Sequence, residues 1–184
     1  MQRKVIVATL FGLIATAATV AADSLPDPEA LRSKAQEKSS RLDGYRQLMN
    51  DPDPNVKIEA FKALYETQDP ALRKIAFDIA LTSADPVLRN MALKYKIFSM
   101  NQLMLNWDDG ARTSSVAVDP KADLATGNFR IFSRTWQSAR VIGDRVEFDG
   151  IDKCSGALEF DGDRRLVGEL QCQGEQAPIY IVIR

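Results

Sequence analysis

The 184-residue chain contains no histidine, so its reactive side chains are few. That absence removes the usual general base of serine and cysteine hydrolases, the commonest zinc ligand and the usual axial ligand of haem. G-x-S-x-G, P-loop and G-x-G-x-x-G patterns are missing too, and neither a metal site nor a cofactor is expected. The common mechanism that needs neither His nor Cys is glycoside hydrolysis by two carboxylates. Its candidates are Asp108 and Asp109, which follow Trp107, and Glu147, Glu159 and Glu169 further on. A Glu on the polar side of a hairpin is ordinarily a solvated residue, so no residue is assigned a catalytic role. "DGD" at Asp161 to Asp163 lacks the later ligands of a calcium loop.

A second group is suited to binding. Trp136 stands in "FSRTWQSAR" with Arg130, Arg134 and Arg140 nearby. Trp and Arg are typical interface anchors, and an indole also stacks on sugar rings. Read as a single strand, "NFRIFSRTW" places Arg130, Arg134 and Trp136 on one face. Phe129, Ile131 and Ser133 take the other, which is the core face.

The only cysteines, Cys154 and Cys172, bracket "CSGALEFDGDRRLVGELQC". A hairpin register in which paired positions add to 326 sets Cys154 against Cys172, Gly156 against Leu170, Leu158 against Gly168 and Phe160 against Leu166. All eight then share one apolar face, with a small residue twice opposite a large one. A two-residue turn would mix the faces, so an odd loop of three or five residues around Asp163 is expected. Opposed strand positions are close enough for a disulfide, which would clamp the open end of the hairpin. The spacing is unlike C-x-x-C, which argues against a redox-active pair.

The same half carries strand signals from about Arg112 onward, with further short runs at "ARVI", "RVEF" and "PIYIVIR". Gly143-Asp144 reads as a hairpin turn. The N-terminus differs. A basic "MQRK", an uncharged run from Val5 to Val20 and small residues before Asp23 read as a signal peptide over residues 1–22. Its removal deletes Arg3 and Lys4 from 24 basic residues against 25 acidic, giving 22 − 25 = −3. Without a basic excess nucleic acid is not an expected partner, and nothing after the leader is long and apolar enough to span a bilayer. Export to an oxidising compartment agrees with a disulfide.

Between the leader and the strands lies a helical stretch with a 16-residue recurrence: "DPNVKIEAF" at Asp53, "DPALRKIAF" at Asp69 and "DPVLRNMAL" at Asp85. "DPEALR" at Asp27 is a distant fourth copy. Each Asp is placed to cap a helix, and each Pro suits its first turn. Lys57, Arg73 and Arg89 recur in step, either as a ladder for an acidic partner or as partners of the capping Asp residues. The stretch from Leu48 to Phe98, with "LMNDPDPNVKIEAFKAL" at its start, resembles HEAT-like helical repeats. The resemblance implies a stack of short helices, although it spans few units and has Lys57 where Arg is usual.

The expected fold is therefore α+β: short HEAT-like helical repeats over residues 23–106, then a small antiparallel β-sheet module with one disulfide over residues 107–184. The expected function is a non-catalytic interaction or adaptor protein, exported to the periplasm, that binds a protein partner. Two alternatives stand beside it. One is a cell-wall or carbohydrate-binding protein, with carboxylate-dependent glycosidase activity as its extreme form. The other is a secreted enzyme inhibitor.

Overall fold

Asp-Pro opens three successive helices, each for the same reason. Asp53, Asp69 and Asp85 take extended backbone angles, and their carboxylates accept the N–H groups of Asn55, Ala71 and Val87 at 2.8, 2.8 and 2.9 Å. Each Asp satisfies an otherwise orphaned donor of the first turn, and the Pro next to it needs no partner. The helices are α2 (Pro54–Glu66), α3 (Pro70–Leu81) and α4 (Pro86–Ser99), and α1 (Pro28–Met49) precedes them.

The computed structural model describes residues 27–107, 111–151 and 153–183. The expected signal peptide and the Asp108–Asp109 pair lie outside them. No helix among the described residues is long and apolar enough to cross a membrane. The chain divides into two compact units, residues 1–37 and 38–184. In the first, Asp27 accepts the Glu29 N–H at 3.1 Å and the described residues are exposed helix. The second holds the end of α1, the three Asp-Pro helices and all of the strands.

Residues 107–184 were expected to form a small sheet module, and the structure corrects this. Eight antiparallel strands close into a barrel in simple sequential order. They are β1 (Gln102–Trp107), β2 (Arg112–Val118), β3 (Asn128–Phe132), β4 (Trp136–Ile142), β5 (Arg145–Ile151), β6 (Cys154–Phe160), β7 (Arg165–Cys172) and β8 (Glu175–Val182). Closure comes from β1 pairing with β8, at Leu105–Ile181, Asn106–Tyr180 and Trp107–Ile179. The strand signal also begins earlier than expected, because Gln102 to Asn106 was read as the end of the helical stretch. Leu and Met are good helix formers, but here Leu103 and Leu105 are fully buried on alternate positions of β1.

An eight-stranded barrel has an interior just wide enough for side chains to fill. Leu103, Ile131, Val146, Leu158, Leu166 and Ile181 fill this one, all fully buried, and no polar side chain among the described residues is buried with them. The β6–β7 hairpin adopts the register read from the sequence, with Cys154 opposite Cys172, Gly156 opposite Leu170 and Leu158 opposite Gly168. Its loop is odd, as expected: the Asp161 N–H donates to the Arg165 carbonyl at 3.0 Å, leaving three residues between them. The disulfide Cys154–Cys172 spans 18 positions, and closing a loop of that size contributes about 3 kcal/mol on a chain-entropy model.

Up-and-down order places alternate turns at opposite ends of the barrel. The β2–β3, β4–β5 and β6–β7 connections share one end, and the helices close it. Arg89 grips Asp144 of the β4–β5 turn with Nη2 at 2.7 Å and Nε at 3.1 and 3.2 Å. These bonds raise the guanidinium pKa above its ordinary value. Asn90 donates to the Gly143 carbonyl at 2.8 Å, and Arg164 of the β6–β7 turn bonds Asp78 of α3 at 2.6 Å. Lys94 donates to the carbonyls of Leu124 and Ala125 in the β2–β3 loop. That loop is held by Asp123, whose carboxyl sits below its usual pKa because the Thr126 hydroxyl and then the Thr126 and Ala125 amides donate to it. Phe98 of α4 packs on Phe129 of β3, ring centroids 5.4 Å apart.

Gly168 shows how tight the β6–β7 contact is. A Cβ there would lie 2.4 Å from the Ala157 carbonyl oxygen, a backbone atom that cannot swing aside. Gly168→Ala is expected to destabilise the fold by about 1–3 kcal/mol in urea denaturation. Gly44→Ala is the control: it lies in α1 with nothing within 4 Å of the added Cβ, and should stabilise by about 0.5–1 kcal/mol. Equal midpoints for the two variants would contradict this packing.

Candidate functional site

With the lumen filled by side chains, the candidate site residues of the strands lie on the outer wall. "NFRIFSRTW" is not one strand. The chain leaves β3 at Phe132, turns through Ser133 to Thr135 and re-enters as β4 at Trp136, so that Phe132 and Trp136 are directly paired. Phe129 and Ile131 are buried as expected, and Arg130 points outward. Arg134 lies in the turn instead of sharing a strand face with Arg130 and Trp136.

This turn builds an aromatic platform. Phe132 and Trp136 are 40% and 46% exposed, with ring centroids 5.2 Å apart. The Arg130 guanidinium lies over the Trp136 ring, 4.7 Å from its centroid, within reach of a cation–π attraction. Period-2 alternation continues the same outer face along β4 to Ser138 and Arg140. Arg130 pairs across to Ser138 and on to Asp149, and Asn128 pairs across to Arg140 and on to Glu147. The small Ser138 and, on β6, Ala157 leave an open depression of about 510 Å³ between Asn128, Arg140, Glu147 and Asp149. Arg145 bonds Glu147 at 2.6 Å, and Arg140 reaches the Thr126 carbonyl at 3.5 Å. The structure thus brings Trp136, Arg130 and Arg140 onto one surface and leaves Arg134 at its margin.

The candidate acids are arranged differently from a catalytic pair. Glu147, Glu159 and Glu169 come from three successive strands, β5, β6 and β7, on the outside of the barrel. In the ladder Ala157 stands between Glu147 and Glu169, and Glu159 is paired with Arg145 and Val167, so none of the three is directly opposite another. Glu147 is held by Arg145, and Glu159 stands opposite Arg145 in the ladder. Asp161 spends its carboxylate on the hairpin loop, accepting the Asp163 N–H at 2.8 Å and Arg165 Nε at 2.8 Å. Among the described residues no group of three or more potential ligands could hold a metal ion.

Two of the repeated basic residues, Arg73 and Arg89, bond backbone carbonyls near their helix starts and do not pair with the capping Asp residues. Arg73 donates to the Thr67 carbonyl at 2.5 Å and Arg89 to the Ser83 carbonyl at 2.6 Å, six residues back in each case. Both tie their own helix, α3 or α4, to the turn before it through a backbone carbonyl of that turn.

At the far end, beside the disulfide, a depression of about 630 Å³ is lined by Trp107, Ser114, Glu175 and Ala177. Trp107 Nε1 donates to Ser114 Oγ at 2.9 Å. Phe132, Ser138 and Asp149 were missed as site residues. Recognising Ser-Arg-Thr as a turn would have paired Phe132 with Trp136 from sequence. Compared with protein-family models, with curated proteins and with solved structures, the chain matches none.

A surface role for the platform has a direct consequence for stability. Phe132→Ala and Trp136→Ala should each cost less than about 1 kcal/mol in urea denaturation, whereas Phe129→Ala, which empties a buried site, should cost about 3–5 kcal/mol. Comparable losses at all three positions would make Phe132 and Trp136 part of the core.

Proposed function

We propose that the protein is a non-catalytic binding protein, exported to the periplasm, that engages a protein partner through the outer wall of β3, β4 and β5. The observation that carries the reading is the exposed Phe132–Trp136 pair with Arg130 over the indole. Adjacent large apolar side chains held in water by a ladder of strands are an unusual use of surface, and Trp and Arg are the residues that most often dominate binding energy. The depression beside them supplies Arg140, Arg145, Glu147 and Asp149, a mixed-charge rim of the kind that sets register and specificity. A protein surface offers both apolar and mixed-charge groups. A glycan engages the indole through a free ring face, and Arg130 already covers one face of Trp136. On this reading the Asp-Pro helices are a short HEAT-like stack serving as a plug for the barrel. The disulfide agrees with an oxidising, exported location.

The test uses the full chain with its disulfide intact, immobilised and exposed to a periplasmic extract beside Phe132→Ala/Trp136→Ala. A protein retained by the wild type should be lost by at least about tenfold from the folded double variant. Equal retention by both contradicts the platform. Trp136-dependent binding on a glycan array, with no protein retained, would move the reading to a carbohydrate ligand.

A further inference from the structure

β2 is longer than the strand beside it. All of Arg112 to Val118 pairs with β1 or continues that ladder, but β3 meets β2 only at Ala117–Phe132 and Val118–Ile131. Two hydrogen bonds fix which backbone groups face which neighbour. The Val118 N–H donates to the Asn101 carbonyl on the β1 side at 2.9 Å, and the Asp119 N–H donates to the Arg130 carbonyl on the β3 side at 2.8 Å. Backbone direction alternates along a strand. Arg112, Ser114 and Val116 therefore turn their N–H and C=O toward β1, while Thr113, Ser115 and Ala117 turn theirs toward β3.

Ala117 is met by Phe132. Continuing that register would set Ser115 opposite Arg134 and Thr113 opposite Trp136, but the chain leaves the ladder after Phe132 and Trp136 pairs back onto Phe132. The N–H and C=O groups of Thr113 and Ser115 thus have no ladder partner among the described residues, and both residues are exposed. Natural free edges are commonly blocked against unwanted strand pairing by proline, charge or a bulge, and β2 carries only small hydroxyl residues at Thr113 and Ser115.

Resting on the reading that the partner is a protein, we propose that the Thr113–Ser115 edge of β2 is a strand-addition site taking an extended segment of that partner. Two donors and two acceptors in one line at strand spacing recognise extended backbone and little else. Residues of the incoming strand opposite Thr113 and Ser115 point outward with them, in line with Phe132. An apolar or aromatic side chain there lies against the Phe132–Trp136 pair, so the platform reads the side chains of a segment that the edge holds by its backbone.

The first measurement needs no ligand. In the free full-length protein, the amides of Thr113 and Ser115 should exchange with solvent at least about a hundredfold faster than those of Ser114 and Val116. Protection equal to their neighbours overturns the proposal. The second pans a random twelve-residue peptide library displayed on phage against the disulfide-intact chain. Enriched peptides should lose at least about tenfold in affinity for Ser115→Pro, which removes an edge donor and leaves the β1 ladder whole, and should slow exchange at Thr113 and Ser115. Thr113→Pro serves if Ser115→Pro does not fold. Peptides that bind Ser115→Pro normally but fail on folded Trp136→Ala overturn strand addition while leaving the platform standing. No enrichment, or a wild-type dimer that Ser115→Pro abolishes, overturns it as well.

Discussion

Among the described residues, three pairs hold the barrel shut. Leu105, Asn106 and Trp107 against Ile181, Tyr180 and Ile179 join the first strand to the last, and without them the eight strands would be an open sheet with two edges. Closure is what turns alternation along each strand into an inside and an outside. The inside is then filled by the chain's own aliphatic residues, with Gly156 and Gly168 making room for Leu170 and Leu158 across the β6–β7 hairpin. A lumen packed this way is filled by side chains, and the Phe132–Trp136 platform, the charged depression beside it and the edge of β2 all lie on the outer wall.

The helices act on the barrel through polar clasps as well as through the shared apolar core. Arg89 with Asp144, Arg164 with Asp78, Asn90 with Gly143 and Lys94 with the loop held by Asp123 connect α3 and α4 to three turns at one end. Charge-assisted bonds of this kind are directional, so they fix orientation as well as adding stability. The same guanidinium of Arg89 also bonds the Ser83 carbonyl, so one side chain ties α4 both to the preceding turn and to the barrel. These clasps all lie at one end, and the disulfide lies near the other, beside the depression lined by Trp107 and Ser114.

The hairpin around the cysteines was legible from sequence because two faces of opposite character cannot tolerate a one-residue slip. The Asp-Pro helix starts were legible for a similar reason, since cap chemistry is local. Closure was not legible. It depends on Gln102 to Trp107, whose Leu and Met content suits a helix as well as a strand, and on a partner more than 70 residues away that no local pattern announces. The site was legible in part. Trp136, Arg130 and Arg140 were identified by residue type, but placing Ser133 to Thr135 inside a strand hid the pairing of Phe132 with Trp136 and put Arg134 on the wrong surface. The roles of Arg73 and Arg89 were not legible, because they bond carbonyls of the turns before their helices and, for Arg89, Asp144 of a distant hairpin, none of which residue type reveals.

The central claim is that β1 and β8 close the barrel, and solution NMR addresses it directly. The seam predicts cross-strand contacts between the Hα atoms of Leu105 and Ile181 and of Trp107 and Ile179, with slow exchange at the Asn106 amide. Absence of both contacts, with the Asn106 amide exchanging as fast as a free edge, would mean an open sheet and would contradict the account.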